Sequence, residues 1–241
     1  MRNLIRSTFL GATALTAVLS ACHDDSNDDT PAVARFEVTF TNLTAGQPMS
    51  PLALIAHDVA YQAFAPGHPA SVAVEKLAEG GDNSMLLSEA KTDTIHVWQA
   101  SSGAGMVMPG KSETLQMDIP LVQIGSARLT LLSMLANTND AFTASNSTVI
   151  GTLPIGQSLS VDLPAYDAGT ESNQETAASV PGPAAAGGLR EGFNSARDDS
   201  DNRISVHPGV LTRDDGLPSS VLSQLHRCDN PAARLSIRRV Q

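Results

Sequence analysis

The chain is poor in cysteine, in basic residues and in long apolar runs, and each shortage excludes something. Its 241 residues hold two cysteines, Cys22 and Cys228, so a disulfide framework cannot organise the fold. Lys and Arg total 15 against 25 Asp and Glu, a net charge of −10. That balance argues against nucleic acid and against electrostatic docking on anionic lipid, and it is compatible with cations. Apart from residues 9–19 at the start, no apolar run approaches the roughly 18 residues that a spanning helix needs. Catalytic signatures are missing too. His57, His68, His96, His207 and His226 are scattered, with no HExxH pattern. No Gly-x-Ser-x-Gly elbow exposes a serine, and Gly103-Ala104-Gly105 lacks the remaining glycines of a dinucleotide loop. His57-Asp58 reads as a strand-end hydrogen-bonding feature, Trp98 and Tyr61 as core or half-exposed residues, and Cys228 as a small packed residue. The expectation is a protein that is not an enzyme.

What is present at the start is a leader. Arg2 and Arg6 form a basic n-region, and residues 9–19 (FLGATALTAVL) form an apolar segment too short to span a bilayer as a mature helix. The segment ends Leu19-Ser20-Ala21-Cys22, the lipobox pattern of bacterial lipoproteins. Small residues before the cysteine admit the signal peptidase, and the Cys22 thiol carries the lipid. Each methylene that the acyl chains bury adds about 0.8 kcal/mol of membrane affinity. Residue 23 is His, whereas an Asp there would mark retention at the inner membrane, so the outer membrane is the expected destination. The stretch from His23 to Pro31 contains four aspartates and no apolar residue, which describes a solvated tether. The expected organisation is a signal peptide over 1–21, a lipidated Cys22 with an acidic tether over 22–32, and a domain over 33–241. Cleavage removes two arginines and no acid, leaving 13 basic against 25 acidic residues. About 210 residues are enough for one β-domain with its own core.

The domain reads as β-rich with a little helix. Residues 33–41 (VARFEVTFT) set Phe36, Val38 and Phe40 on one face and Glu37, Thr39 and Thr41 on the other, a half-buried strand. Further strands are expected over 51–56, 94–99, 113–119 and, most strongly, 128–135 (RLTLLSML). Residues 71–79 predict a short helix with a serine cap and a Gly80-Gly81 stop, and 84–90 a helical turn or two. After a polar loop, 148–153 and 158–163 read as a hairpin around Pro154-Ile155-Gly156-Gln157. Residues 168–203, rich in Ala, Gly, Pro, Ser and Asp, form a long irregular excursion. The closing residues 233–240 alternate as a final strand. The predicted fold class is all-β, an antiparallel β-sandwich with one or two short helices and long irregular loops.

Chain direction singles out one end of this sandwich. If 128–135 runs upward, the loop Asn137-Thr138-Asn139-Asp140 lies at the top, and the loop holding Asp167 and Glu171 returns to the same end. In an antiparallel meander every second loop shares an end. Asp140, Asp167 and Glu171 are thereby brought together, with Gly169 between the last two allowing a tight turn. Three carboxylates from two loops, completed by main-chain carbonyls and water, are a candidate Ca²⁺ site. Zinc fits less well, because these loops contain no His or Cys.

The same residues carry a resemblance. Tyr166-Asp167-Ala168-Gly169-Thr170-Glu171 resembles the Trp-Asp-Ala-Gly-Thr-Asp segment of the spondin N-terminal domain family, known from F-spondin and mindin. Asn137-Thr138-Asn139-Asp140-Ala141-Phe142 is similar to that family's Ser-Pro-Asp-Trp-Phe loop. Residues 36–44, 48–52, 184–188, 207–209 and 229–237 look like bacterial members, so the likeness covers residues 33–240. It implies a β-sandwich with one structural Ca²⁺ whose ligands are Asp140, Asp167 and Glu171. Glu171 replaces the animal family's Asp with a longer arm, and Ala141 stands where that family has Trp. The function these readings support is a calcium-binding, lipid-anchored envelope protein. It acts as a binding or adhesion module for an envelope or extracellular protein or glycan, with Ca²⁺ in a structural role. The alternatives are a metal-dependent hydrolase of the envelope and a purely structural envelope lipoprotein. Cys22→Ser should leave an uncleaved precursor that takes up no palmitate in metabolic labelling, and normal labelling of that variant would refute the lipobox.

Overall fold

The computed structural model describes residues 32–185, 192–199 and 201–241. The signal peptide, Cys22 and nearly all of the tether lie outside the described residues, as do residues 186–191 of the excursion. The described residues belong to one compact unit, Pro31–Gln241. Among them no helix is long and apolar enough to cross a membrane.

The domain is an all-β sandwich of two antiparallel sheets. The four-stranded sheet has the order β4 (Ser112–Pro120), β1 (Val33–Asn42), β10 (Ala233–Arg239), β7 (Ser158–Leu163). The six-stranded sheet runs β3 (Val97–Ser102), β2 (Ala53–His57), β5 (Arg128–Met134), β6 (Ala141–Val149), β8 (Ala165–Asp167), β9 (Ser205–Val206). β1 follows its alternation: Ala34, Phe36, Val38 and Phe40 are buried, and they meet Leu235 and Ile237 of β10 and Leu54, Leu129 and Leu131 of the facing sheet. Its other face is polar and uses cross-strand pairs, with Thr39 bonded to Thr114 at 2.8 Å and Arg35 to Asp118 at 2.7 Å.

A second apolar layer covers the far face of the six-stranded sheet. Helix α1 (Val72–Gly80) and helix α2 (Ser84–Thr92) pack Val74, Leu77 and Leu87 against Ala53, Ile55, Leu132 and Phe142. This explains the apolar runs in β2 and β5. Strands covered on both faces carry no polar alternation, and all five residues of β2 are buried. The expected helix over 71–79 forms with its expected ends. The Ser71 hydroxyl accepts from the Val74 N–H, and Gly81 is left-handed at φ 70°, its N–H bonding the Leu77 carbonyl. α2 is a full nine-residue helix, longer than the turn or two that the sequence suggests.

Two expectations about pairing are corrected. Residues 148–153 and 158–163 do not form a hairpin: β7 crosses to the other sheet and pairs with β10, Leu159 opposite Ile237. The segment before residue 148, a polar loop by composition, is mostly strand β6, which pairs with β5 from Met134↔Phe142 onward. Thr143 sits between β5 and β8, and beyond it Ser145 and Thr148 pair with β5 and bond each other, so the strand is held by its bonds rather than by apolar content. The start of β3 also moves, from residue 94 to Val97, because the Asp93 side chain accepts from the His96 N–H and holds a turn there. Burial yields a direct test. Leu131→Ala, in the layer between the sheets, should lower stability by about 2–5 kcal/mol in urea unfolding, whereas Val122→Ala at an exposed position should change it by less than about 0.5 kcal/mol.

Candidate functional site

Asp140 and Asp167 meet where β6 begins and β8 ends. β8 pairs with β6 so that Asp167 lies opposite Ala141, and Tyr166 stacks on Phe142 with ring centroids 5.5 Å apart. The strand therefore delivers Asp167 beside Asp140 through an apolar neighbour on its other face. Both side chains are buried. Asp140 Oδ2 accepts from the Thr170 N–H at 2.8 Å, the Thr170 hydroxyl at 3.1 Å and the Glu171 N–H at 3.1 Å. Asp167 Oδ1 accepts from the Gly169 N–H at 2.8 Å and its Oδ2 from Asn173 Nδ2 at 2.9 Å. The turn 168–171 is thus folded around two carboxylates. Gly169 is required there: its φ is +69°, and a Cβ would stand 2.5 Å from main-chain atoms of Arg203.

The electrostatics of this pair are unbalanced. Asp140 Oδ1 is buried and has no hydrogen-bond partner among the described residues. Burial, and secondarily the charge of Asp167, push the Asp140 carboxyl up to about 7. A buried carboxylate oxygen without a donor carries its full desolvation cost. A hard cation on that oxygen would remove the cost and the repulsion together, so the oxygen donors here suit Ca²⁺. Glu171 joins differently. Its main-chain N–H bonds Asp140, while its side chain lines a polar cavity of about 70 Å³ with Asn139, Ser179 and Asp198. Among the described residues no set of three or more His, Cys, Asp or Glu side chains is arranged to hold a metal ion. The structure therefore assembles the pair and brings Glu171 to it through the backbone.

Further buried titratable groups lie around these loops, and of them only His207 figures in the sequence reading. His207 is buried next to Asp167, and its Nδ1 accepts from the Gly209 N–H at 2.9 Å. Burial lowers its pKa against the charge of Asp167, and its Nε2 has no partner among the described residues. Glu79 of α1 is buried, its pKa raised by desolvation, and it accepts from the Asn194 N–H at 2.8 Å. One turn earlier Glu75 holds Arg197, whose Nε donates at 3.0 Å. These acids lie on a helix whose spacing reads as amphipathic, and nothing local marks them as buried. Of the sequence's other candidates, His57 has both ring nitrogens engaged, Nδ1 on the Asp58 carbonyl at 2.6 Å and Nε2 on the Thr130 hydroxyl at 2.8 Å. The Asp58 carboxylate pairs instead with His96 at 2.9 Å, so His57 and Asp58 do not form part of a Ser-His-Asp relay. Cys228 is buried and its thiol is pushed up to about 11, chiefly by desolvation, which leaves it un-ionised at neutral pH.

Glu175, behind the same loops, provides a pH test. It is 1 % exposed, Oε1 accepts from the Leu211 N–H at 3.1 Å, and Oε2 has no partner among the described residues. Burial pushes its carboxyl up from 4.5 to about 7. A raised folded value means that its contribution is complete below about pH 4.5 and is lost as pH rises toward 7, because the unfolded chain ionises first. Glu175→Gln keeps the acceptor and removes the ionisation. Relative to this variant, the native chain should lose roughly 1–3 kcal/mol between pH 4.5 and 7 in urea unfolding, and parallel curves would overturn the assignment. In comparisons with known proteins, no protein-family model matches the chain and no curated protein sequence matches it.

Proposed function

We propose that this protein is a lipid-anchored envelope protein whose β-sandwich is stabilised by one structural Ca²⁺ and serves as a binding or adhesion module. The observation that carries the calcium reading is the buried Asp140 Oδ1 that lacks a hydrogen-bond donor, beside Asp167. Asp140, Asp167 and Glu171 would hold the ion, with main-chain carbonyls and water completing the oxygen shell that calcium requires. Bound there, the cation neutralises carboxylates that otherwise repel and ties the loop 137–140 to the turn 168–171. Its role is structural, since the acids it holds also brace the turn by accepting main-chain N–H groups. The spondin resemblance and the lipobox at Cys22 support a place at the cell envelope, probed by an exposed loop surface rather than by a catalytic cleft.

The test is thermal unfolding in calcium and in chelator. At calcium about a hundredfold above its dissociation constant, the native chain should gain about 2.7 kcal/mol, a rise in Tm of roughly 5–10 °C. Asp140→Asn and Asp167→Asn should each lose most of that gain. Equal calcium responses in native and variant chains would sink the site. The binding role is read separately, by capture of envelope fractions on the immobilised protein with calcium and with chelator. No specific capture, with calcium or with chelator, would argue for a purely structural lipoprotein.

A further inference from the structure

We propose that Met106, Met108 and Met134 form a thioether site for a soft monovalent cation, Cu(I). Three extended segments lie side by side below the C-terminal end of α1. Met49 bridges Val107 on one side and Leu135 on the other, both antiparallel, with Met49 N–H to Val107 carbonyl at 3.0 Å and Ser50 N–H to Met134 carbonyl at 3.0 Å. Met49, Val107 and Leu135 point into the core and are 0–4 % exposed. In extended chain successive side chains alternate, so the flanking residues share the opposite face. Met106 and Met134 stand on either side of Ser50, and Met108 follows Met106 by one pleat. Adjacent strands are about 4.8 Å apart, which places the Met106 and Met134 backbones roughly 10 Å apart and Met106 and Met108 roughly 6.6 Å apart. Unbranched side chains with three rotatable bonds span such gaps.

All three methionines line one cavity of about 400 Å³. Met134 is 2 % exposed and forms its fixed wall, while Met106 and Met108 are 51 % and 49 % exposed and stand at its mouth. A Cβ added at Gly81 would lie 3.7 Å from the Met134 sulfur, which places that sulfur next to Gly81 in the cavity wall. The chemistry of the lining is one-sided. Apart from the methionines it consists of prolines, glycines, Ala136 and Ser50. The Ser50 hydroxyl already accepts from the Met134 N–H at 2.9 Å. With no carboxylate, imidazole or ammonium in the wall, hard divalent cations find no partner, whereas neutral thioether sulfurs favour Cu(I). Three of the chain's seven methionines line this one cavity. The cation binds as Cu(I) and no electron transfer is required. The site does not depend on the calcium reading, because it shares no ligand with Asp140, Asp167 or Glu171.

The test is an anaerobic titration of the purified full chain with Cu(I) delivered from its bicinchoninate complex. One high-affinity Cu(I) per chain is expected. Met106→Leu and Met108→Leu keep the volume and the apolar character, so each should weaken binding about tenfold or more, and the double variant should abolish it with Tm unchanged. In selenomethionine-labelled protein the copper X-ray absorption spectrum should show a Cu–Se shell. No Cu(I) uptake, uptake that survives both substitutions, or copper surrounded only by N, O or S in the labelled protein would each overturn the site. So would retention of an apolar dye by native and double-variant chains alike without copper uptake, which would make the cavity a plain apolar groove.

Discussion

The burial of four consecutive polar residues, 137–140, is the constraint on which the irregular half of this domain depends. All four are at most 1 % exposed, and polar groups taken out of water must find partners. Each finds them in a different segment. Asn137 donates to the Gly46 carbonyl and accepts from the Ala184 N–H. Thr138 closes its own turn on Leu135 and Ala141. Asn139 accepts from Glu175, and Asp140 from Thr170 and Glu171. One loop thus fastens the chain around residue 46, the turn after β8 and the segment near residue 184 to a single end of the sandwich.

The same end explains how a long, Ala- and Gly-rich excursion is ordered over its described parts. Such a sequence buries little apolar surface, Val180, Ala185, Val210 and Leu222 forming a small cluster of their own. Its remaining attachment is polar and reaches back to α1, where Glu75 takes Arg197 and Glu79 takes the Asn194 N–H. An ion pair with one member almost fully buried is strongly destabilising to break, because the survivor stays buried without its partner. Helix α1 therefore has two roles: its apolar face covers the six-stranded sheet, and its acids hold the excursion against the loops. The cost of that design is an excess of buried carboxylates, among them Asp140, Asp167, Glu79 and Glu175.

Legibility from sequence varied with how local the determining physics is. β1 and β10 were plain, since strict alternation of apolar and polar residues follows from one buried face. The helix over 71–79 was plain because Ser71 and Gly81 supply end groups that act within four residues. β6 was not, because AFTASNSTV carries few large apolar side chains, and its strand character comes from bonding to β5 along its length and to β8 over residues 141–143. The supposed hairpin at 154–157 failed for a related reason. A Pro-Gly turn permits either a return along the same sheet or a crossing to the other, and packing of Leu159 and Val161 beside β10 selects the crossing. The meeting of Asp140 and Asp167 was nevertheless anticipated, because counting strand directions survives an error in which strands pair.

The fold class, the half-buried strands at both ends of the domain, the capped helix and the common end to which Asp140 and Asp167 belong are all legible in the order of residues alone. These rest on periodicity, end groups and chain direction, which act over a few residues or by parity. Packing of the whole domain sets which sheet each strand joins, buries Glu75, Glu79, Glu175 and His207, brings the Glu171 main chain to Asp140 and gathers three methionines around one cavity. Those outcomes depend on contacts between residues a hundred or more positions apart, as between Glu79 and Asn194 at a separation of 115. No local pattern encodes such a distance, because the free energy that sets it is that of the whole packed layer rather than of any segment within it.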